Sequence, residues 1–480
     1  MLHNSDVHLS CIRAGRADDS TSNLTLGGIG GIIELFDWED NLIWSYVYST
    51  DNFRQHHDVY PLPNGNILVL AITPMTSAEA IQAGRDPGFL PDGELYNEQI
   101  IEIEPVGTNG ANIVWEWNVK DHLIQDFDNT KDNFGIVGDN PQLLDINFLN
   151  GLDGAKNWLH INSMQYNSER DQIILSSRHL SEIYIIDHST TTAEAATGSG
   201  GTYGKGGDFL YRWGNPEGYD QGTSADRTLF GQHTPQFIED GLPNADKIIL
   251  FNNGIERSPS FSQVDIITPP ESTLGVYDYT PGTAYGPLTT DYTYTDFTND
   301  PSDLYTPILS NAQQLSNGNI MVCEGRDGYI FELDSNDEKV WEYIVPIHRI
   351  NGTIYNQFET PDNNWIFRAV KYAPEYAAFT GRDLTPGLPI EGNPDLTPCS
   401  NLSVSEFEQN SLTIYPNPTK DVVQIESGNP IDNIEVFNIL GRKVLTTSNP
   451  MIDLSAQPSG IYLFKIYSGS STTNRKVIKD

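Results

Sequence analysis

Four times along this chain, an aliphatic strand, an acidic residue, a turn and a tryptophan-bearing strand follow one another. The phrase reads GGIIELFDWEDNLIWSYVY at 30–48, EQIIEIEPVGTNGANIVWEWNV at 98–119, SEIYIIDHS with GGDFLYRWG at 181–214, and GYIFELDSNDEKVWEYI at 328–344. A second phrase precedes or separates these: HHDVYPLPNGNILVLA at 56–71, HINSMQYNSERDQIILSSR at 160–178, HTPQFIEDGLPNADKIILFNNG at 233–254, and SNAQQLSNGNIMVCEGR at 310–326. Each of the latter runs polar start, strand, turn, strand, and Asn64-Gly65 is a strong hairpin signal. Period-two alternation and the wealth of Ile, Val, Tyr and Trp make these strands. The units are therefore four short antiparallel strands joined by turns. Repeated units of that kind predict a β-propeller, whereas a β-sandwich has no reason to repeat a Trp phrase four times. Helical periodicity is scarce, and Ser77–Gly84 reads as a short helix inserted in a loop.

At 480 residues the chain exceeds one ordinary domain, so a large repeat fold with an appendage is expected. Asp and Glu outnumber Lys and Arg, 65 to 27, for a net charge of −38. That balance disfavours nucleic acid and anionic membrane as partners, because both need a basic footprint. It suits a soluble secreted or surface protein, in which an anionic substrate would need a local positive site. Cys11, Cys323 and Cys399 lie far apart, form no Cys-x-x-Cys pair and read as incidental thiols. No apolar run is long enough to span a membrane. The Gly-rich stretch 189–207 lacks the Lys-Ser/Thr and helix of a phosphate loop and reads as a flexible surface loop.

In a propeller the innermost strands line a central channel, so residues at their starts converge on one mouth. Three of the polar starts carry histidine, at His57, His160 and His233, while the fourth has Ser310-Asn311. Two chemistries need several imidazoles at one point. One is a zinc site with an open position. The other is transfer of an anionic group through a histidine nucleophile. Arg178 and Arg326 each follow a strand pair that begins at such a start, so both are candidates for the same mouth. A fixed cation would be repelled by zinc but would clamp a sulfate or phosphate ester, which favours an anionic substrate.

The phrases QHHDVYPLPNGNIL, WLHINSMQYNSERDQIILSSRHLSEIYIIDHS, LYRWGNP with GQHTPQFIEDGLPNADKIILFNNG, and CEGRDGYIFELD resemble, in order and spacing, the bacterial aryl-sulfate sulfotransferases that work without an adenylyl-sulfate cofactor. The resemblance covers about residues 25–372. It implies a six-bladed β-propeller, no cofactor and no metal. It also implies a ping-pong reaction in which an aryl sulfate loses its sulfuryl group to a histidine and a phenol then takes it. Matched position by position, His233 corresponds to the nucleophile, His160 to a supporting histidine and Arg178 to the arginine that grips sulfate oxygens. The remaining family histidine falls in the HHD run, at His57 or at His56. A non-catalytic ligand-binding propeller and a metal-dependent hydrolase stand as the competing readings.

The propeller region is expected to span 1–374, followed by a Pro-, Gly- and Ser-rich linker at 375–410. Residues 411–480 read as about seven short strands of a small β-sandwich. Within them YPNPTKD, VFNILGRKV, IDLSAQPSGIYLFKI and the terminal KVIKD resemble the C-terminal sorting domain of type IX secretion cargo. That resemblance implies the type IX secretion machinery as a partner and a secreted or cell-surface location reached through the periplasm. The family resemblance also allows a homodimer. The start at Met1 shows no export signal and falls part-way into the first repeat, so it reads as an internal start or the edge of a gene fragment, with closure of the first blade left open.

Overall fold

The computed structural model describes residues 2–5, 8–16, 19–296, 303–394, 413–427, 430–438, 442–468 and 471–480. Within them lie two compact units, Met1–Gly392 and Asn393–Asp480. No helix among the described residues is long and apolar enough to cross a membrane. Cys323 is buried and free; Cys399 and the side chain of Cys11 lie outside the described residues.

Among the described residues the first unit holds five four-stranded antiparallel sheets, each built from strands consecutive along the chain apart from one small inserted pair. The first comprises Leu2–Ser5, His8–Arg16, Gly31–Phe36 and Leu42–Val47, so it reaches four strands. The second runs Arg54–Pro61, Ile67–Thr76, Glu94–Val106 and Gly110–Asn118. The third is Ile161–Asn167, Gln172–Ser177, Glu182–Asp187 and Tyr211–Trp213. The fourth is His233–Phe237, Ile248–Asn252, Gln263–Ile267 and Tyr292–Tyr294. The fifth is Asn311–Gln314, Ile320–Glu324, Tyr329–Leu333 and Lys339–Ile344.

The fourth sheet's outer pair is invisible as a repeat in the sequence. Its last strand carries Tyr292 and Tyr294 where the others carry Trp, and 268–291 intervenes, including the small Glu271–Thr273/Val276–Tyr277 pair. The short helix does form, at Ser77–Gln82, with Thr76 and Glu79 closing a capping box at its start.

Alternate residues of one strand face opposite sides, and here each side meets another sheet. In NILVLA, Ile67 and Val69 join Ile33, Leu35 and Trp44 of the first sheet. Leu68 and Leu70 instead join Ile161, Ile173 and Leu175 of the third. The third packs on the fourth through Ile183, Ile185, Leu250 and Ile267, and the fourth on the fifth through Phe251, Val264, Val322 and Phe331. Middle strands are therefore apolar on both faces, as in any sheet covered twice.

Between neighbouring innermost strands, side-chain amides bridge to the next strand's backbone. Gln165 Oε1 accepts from Phe237 N (2.8 Å), and Gln236 Nε2 donates to Ala312 O (2.5 Å). Asn311 and Gln313 each pair in both directions with the backbone of Ala369 and Lys371. A primary amide offers one donor and one acceptor side, which suits this pairing with a peptide group. The extended run 366–371 thus stands beside the fifth sheet as each inner strand stands beside its predecessor. Arg368 then closes the ring onto Asp58 of the second sheet, through Nη1 at 2.9 Å and Nη2 at 2.5 Å. The inner strands of the second to fifth sheets and this single run thus complete the ring, and the first sheet packs on the second.

Among the described residues the second unit has seven strands in two sheets. Thr413–Tyr415, Val422–Glu426 and Met451–Asp453 form one; Asn433–Asn438, Lys443–Thr447, Gly460–Ser468 and Ser471–Lys479 form the other. Val423, Ile425, Ile434, Val436, Phe464 and Ile466 make its core.

Candidate active site

The histidines sit where the inner strands are distorted. Pairing shifts register between Gln55 and Val59, between Ile161 and Ser163, and between His233 and Gln236. His57 (φ 48°), His160 (φ 49°), Thr234 (φ 51°) and Ser310 (φ 88°) all adopt left-handed backbone. A bulge with one left-handed residue re-aims a side chain out of the strand's alternation, and such strain gathers at functional sites. His233 thus stands one residue ahead of the left-handed position that His57 and His160 occupy, which a simple alignment of the three starts does not show.

His233 is 3% exposed. Its Nδ1 lies 2.7 Å from Asn253 Oδ1. The Asn253 amide is oriented by its other end, where Nδ2 donates to Thr306 O (2.8 Å) and Leu309 O (2.9 Å). An amide oxygen can only accept, so His233 carries its proton on Nδ1 and a lone pair on Nε2. Leu309 N–H donates to that lone pair at 3.2 Å. Burial first, and then the charge of Arg178, lower the His233 pKa to about 3, against the opposing hydrogen bond that His233 donates to Asn253.

His57 and His160 meet edge to face, with ring centroids 4.7 Å apart, and His160 meets His179 at the same distance. Asn157 Nδ2 lies 2.8 Å from His160 Nδ1, and as donor there it leaves the His160 proton on Nε2. His179 Nδ1 donates to Asn157 O (2.8 Å). Behind His57, its Nδ1 lies 2.8 Å from His56 Nδ1, and His56 Nε2 lies 2.9 Å from Glu98 Oε2. His56 is therefore packed behind His57, fully buried, and His57 is the member of the pair that touches the other imidazoles.

Gly27 and Gly28 form a close wall over these rings. A Cβ on Gly28, itself left-handed at φ 71°, would come within 2.3 Å of the His57 ring, and one on Gly27 within 3.1 Å of His160. Gly28 O accepts from His57 N at 2.6 Å.

Arg178 follows the hairpin that starts at His160, and its N donates to His160 O at 3.2 Å, so the eighteen-residue spacing is that of hairpin partners. Its Nε is buried without a hydrogen-bond partner. A buried unpaired guanidinium nitrogen calls for an anion. Burial lowers the arginine's pKa, and the Arg178 charge in turn opposes protonation of His57, His160, His179 and His233. Burial is the largest cause in each imidazole; it holds His57 and His160 well below the usual histidine value and His179 at about 4. The mouth therefore presents neutral imidazoles around one cation. Among the described residues no group of three or more His, Cys, Asp or Glu side chains is arranged to hold a metal ion.

His57, His160, His233 and Arg178 thus lie together, with His56 in support. Arg326 does not join them: it is exposed and lies over the Trp365 ring, 5.5 Å from its centroid. Sequence reasoning passed over Asn253, His179, Asn157, Glu98 and the Gly27-Gly28 wall. Of these, only His179 carried a signal, as the neighbour of Arg178.

Residues 41–368 match the family model described as Arylsulfotransferase (ASST). The chain belongs to the arylsulfotransferase family. As such it is an aryl-sulfate sulfotransferase, and aryl sulfates are its substrates. Residues 413–480 of this arylsulfotransferase match the Secretion system C-terminal sorting domain, which directs it to secretion and the cell surface through the type IX machinery. No curated protein matches the chain. Similar solved structures include a protein of unknown function from Bacteroides caccae, with 11% identity over 65% of this chain and 76% of that one, at a TM-score of 0.34. A putative 6-phosphogluconolactonase from Bacteroides fragilis has 9% identity over 99% of this chain and 96% of its own, at 0.31. Virginiamycin B lyase from Staphylococcus aureus has 11% identity over 65% of this chain and 82% of its own, at 0.20.

Proposed function

We propose that the enzyme moves a sulfuryl group from an aryl sulfate to a phenol by a ping-pong route through a sulfohistidine on His233. The observation that carries this reading is the pairing of an oriented His233, its Nε2 lone pair set by Asn253, with Arg178, whose buried Nε lacks a partner.

His233 Nε2 attacks sulfur as the aryl oxygen departs, giving a sulfonated imidazolium whose Nδ1–H stays on Asn253. Attack gives up the Leu309 N–H contact, and that donor is then free to meet a sulfuryl oxygen. Arg178 and the His160 Nε2–H hold the other oxygens. His57 gives a proton to the leaving phenolate and takes one from the acceptor phenol. Sulfuryl transfer, like phosphoryl transfer, is expected to pass through a loose transition state, so positioning and fixed charge supply most of the acceleration. The large downward pKa shifts keep His233 nucleophilic at neutral pH and turn His57 and His160 into neutral partners, where free histidines would be half-protonated near pH 6.5. In this scheme 1–374 is the catalytic domain, 375–410 the linker and 411–480 the sorting domain.

Incubation with a chromogenic aryl sulfate, with and without a phenol and in the presence of chelator, tests the reading. Phenol-dependent release with a sulfuryl mass adduct on the His233 peptide supports it. Chelator-sensitive release that ignores the phenol would overturn it.

A further inference from the structure

Ping-pong transfer asks opposite things of one imidazole in its two halves. In the first half the leaving phenolate needs a proton; in the second the acceptor phenol must lose one. An imidazole beside Arg178, with its pKa held well below the usual value, carries no spare proton of its own. The proton must rest elsewhere between turnovers, somewhere its charge is met.

We propose that His56 and Glu98 form a proton store behind His57, lending it a proton in the first half-reaction and taking one back in the second. The inference rests on the functional reading above. Its geometry is a continuous chain: Glu98 Oε2 to His56 Nε2 at 2.9 Å, then His56 Nδ1 to His57 Nδ1 at 2.8 Å. Two Nδ1 atoms at that distance share one proton, since one must donate and the other accept. Glu98 is itself held, with Oε1 accepting from Ile161 N at 3.0 Å, at the start of the inner strand that follows His160. Both side chains are sealed from water, at 0% exposure for His56 and 2% for Glu98.

With the store loaded, His56 is an imidazolium against the Glu98 carboxylate. Its Nδ1–H donates to His57 Nδ1, and His57 presents Nε2–H. As the aryl C–O–S linkage breaks at sulfur, His57 Nε2–H passes to the departing oxygen, and the His56 Nδ1 proton moves onto His57 Nδ1. The store is then empty, with His56 neutral, and His57 presents a lone pair at Nε2. The acceptor phenol gives its proton to that lone pair as its oxygen attacks the sulfuryl group on His233. The His57 Nδ1 proton returns to His56, so one proton leaves the store and one comes back in each cycle, with no outside acid or base.

The groups that face His57 agree with this placement. His56, His160, His179, His233 and Arg178 surround it, and in that company a charge on His57 is opposed by His56, His233, Arg178 and His179. Asp58, next in the chain, is held by Arg368 and Met164 N. Glu98 is the carboxylate that reaches the pair, and it does so through His56. Glu98 and His56 are positioning residues that act through His57 and never touch substrate.

The test compares Glu98→Gln and His56→Gln with the wild-type full chain, using phenyl sulfate and para-nitrophenyl sulfate in single turnover. Nitrophenolate leaves without a proton, whereas phenolate needs one. General acid assistance typically contributes about 100-fold or more. Both variants should therefore lose about 100-fold with phenyl sulfate and less than about 10-fold with the nitrophenyl ester. The ratio between donors is internal to each variant, so a partly unfolded preparation scales both rates alike. Equal losses with both donors, alongside a His233 adduct in the wild type, would overturn the store alone. Absence of the adduct from the wild type would overturn the nucleophile reading, and the store with it.

Discussion

The side-chain amide of Asn253 and the imidazole of His233 meet at 2.7 Å, and the amide's other end is fixed on the carbonyls of Thr306 and Leu309. This two-sided anchoring leaves Asn253 only one way to face the ring. Its oxygen therefore selects the Nδ1–H tautomer and frees Nε2. Asn253→Leu should cut the first-half rate by about 100-fold, the scale on which oriented hydrogen bonds act in catalysis. Asn253→Asp keeps an acceptor at Nδ1 and should fall less. Stopped-flow phenol release with the donor saturating separates the two, and equal rates for Leu and Asp would reject the tautomer argument.

Arg178 gives a different signature. Its buried Nε awaits a partner, and a guanidinium meets sulfate with a fork that an ammonium lacks. A hydrogen bond to a charged group contributes about 1.5–3 kcal/mol, or roughly ten- to hundredfold in affinity. Arg178→Lys should weaken competitive inhibition by inorganic sulfate and raise the donor KM by about that factor. Inhibition by sulfate unchanged from wild type would remove Arg178 from the anion site.

How far the sequence carried the site can be seen residue by residue. His57, His160, His233 and Arg178 were legible as members of the candidate site because each begins or ends a repeated phrase, and a closed ring turns repetition into convergence. Asn253 was not, because Asn252-Asn253-Gly254 reads as an ordinary turn signal, and its role depends on carbonyls more than fifty residues away. Glu98 opens a Trp phrase as one more strand-edge carboxylate; only the folded second sheet, which holds both residues, brings it to His56. The choice between His56 and His57 also needed the bulge, which sends one ring back toward Glu98 and the other toward His160. The fold was legible where strands repeat. It was obscured in the fourth sheet, where Tyr replaces Trp, and at 366–371, where a run outside the repeated phrases joins the ring.

The Arg368–Asp58 pair closes the ring and predicts a stability effect. Asp58 is 2% exposed and also accepts from Met164 N at 3.1 Å. Removing one partner of a buried pair leaves the other charge uncompensated, at a cost of about 3–5 kcal/mol. Arg368→Met should lower the urea midpoint accordingly, and adding Asp58→Asn should recover part of the loss. If the double variant is as unstable as the sum of the two singles, the pair is not coupled.

Stability should also depend on pH through imidazoles of opposite sign. His233 at about 3 and His179 at about 4, with His57 and His160 well below normal, bind fewer protons folded than unfolded once pH falls below about 6.5. Stability therefore falls as pH drops from there, by about 1.4 kcal/mol per pH unit for each imidazole kept neutral. Carboxyls raised mainly by burial oppose this: Asp145, at about 6, and Glu324, at about 8, and with them Asp121, Glu182, Asp220, Asp265 and Asp327 bind extra protons in the folded state. The fall on the acid side is that of the four imidazoles less this opposing carboxyl contribution. His188 acts the other way. Burial lowers it, but the hydrogen bonds it donates to Asp171 and Glu102 outweigh that and raise it to about 9. Its contribution is complete below pH 6.5 and disappears as pH rises through about 9. Thermal melts from pH 5 to 9 should thus peak near neutrality. His188→Gln should flatten the alkaline side while leaving the acid side in place. Saturating sulfate should blunt the acid side, because an anion beside Arg178 lets the imidazoles protonate in the folded state. An acid side indifferent to sulfate would separate the imidazole cluster from the anion site.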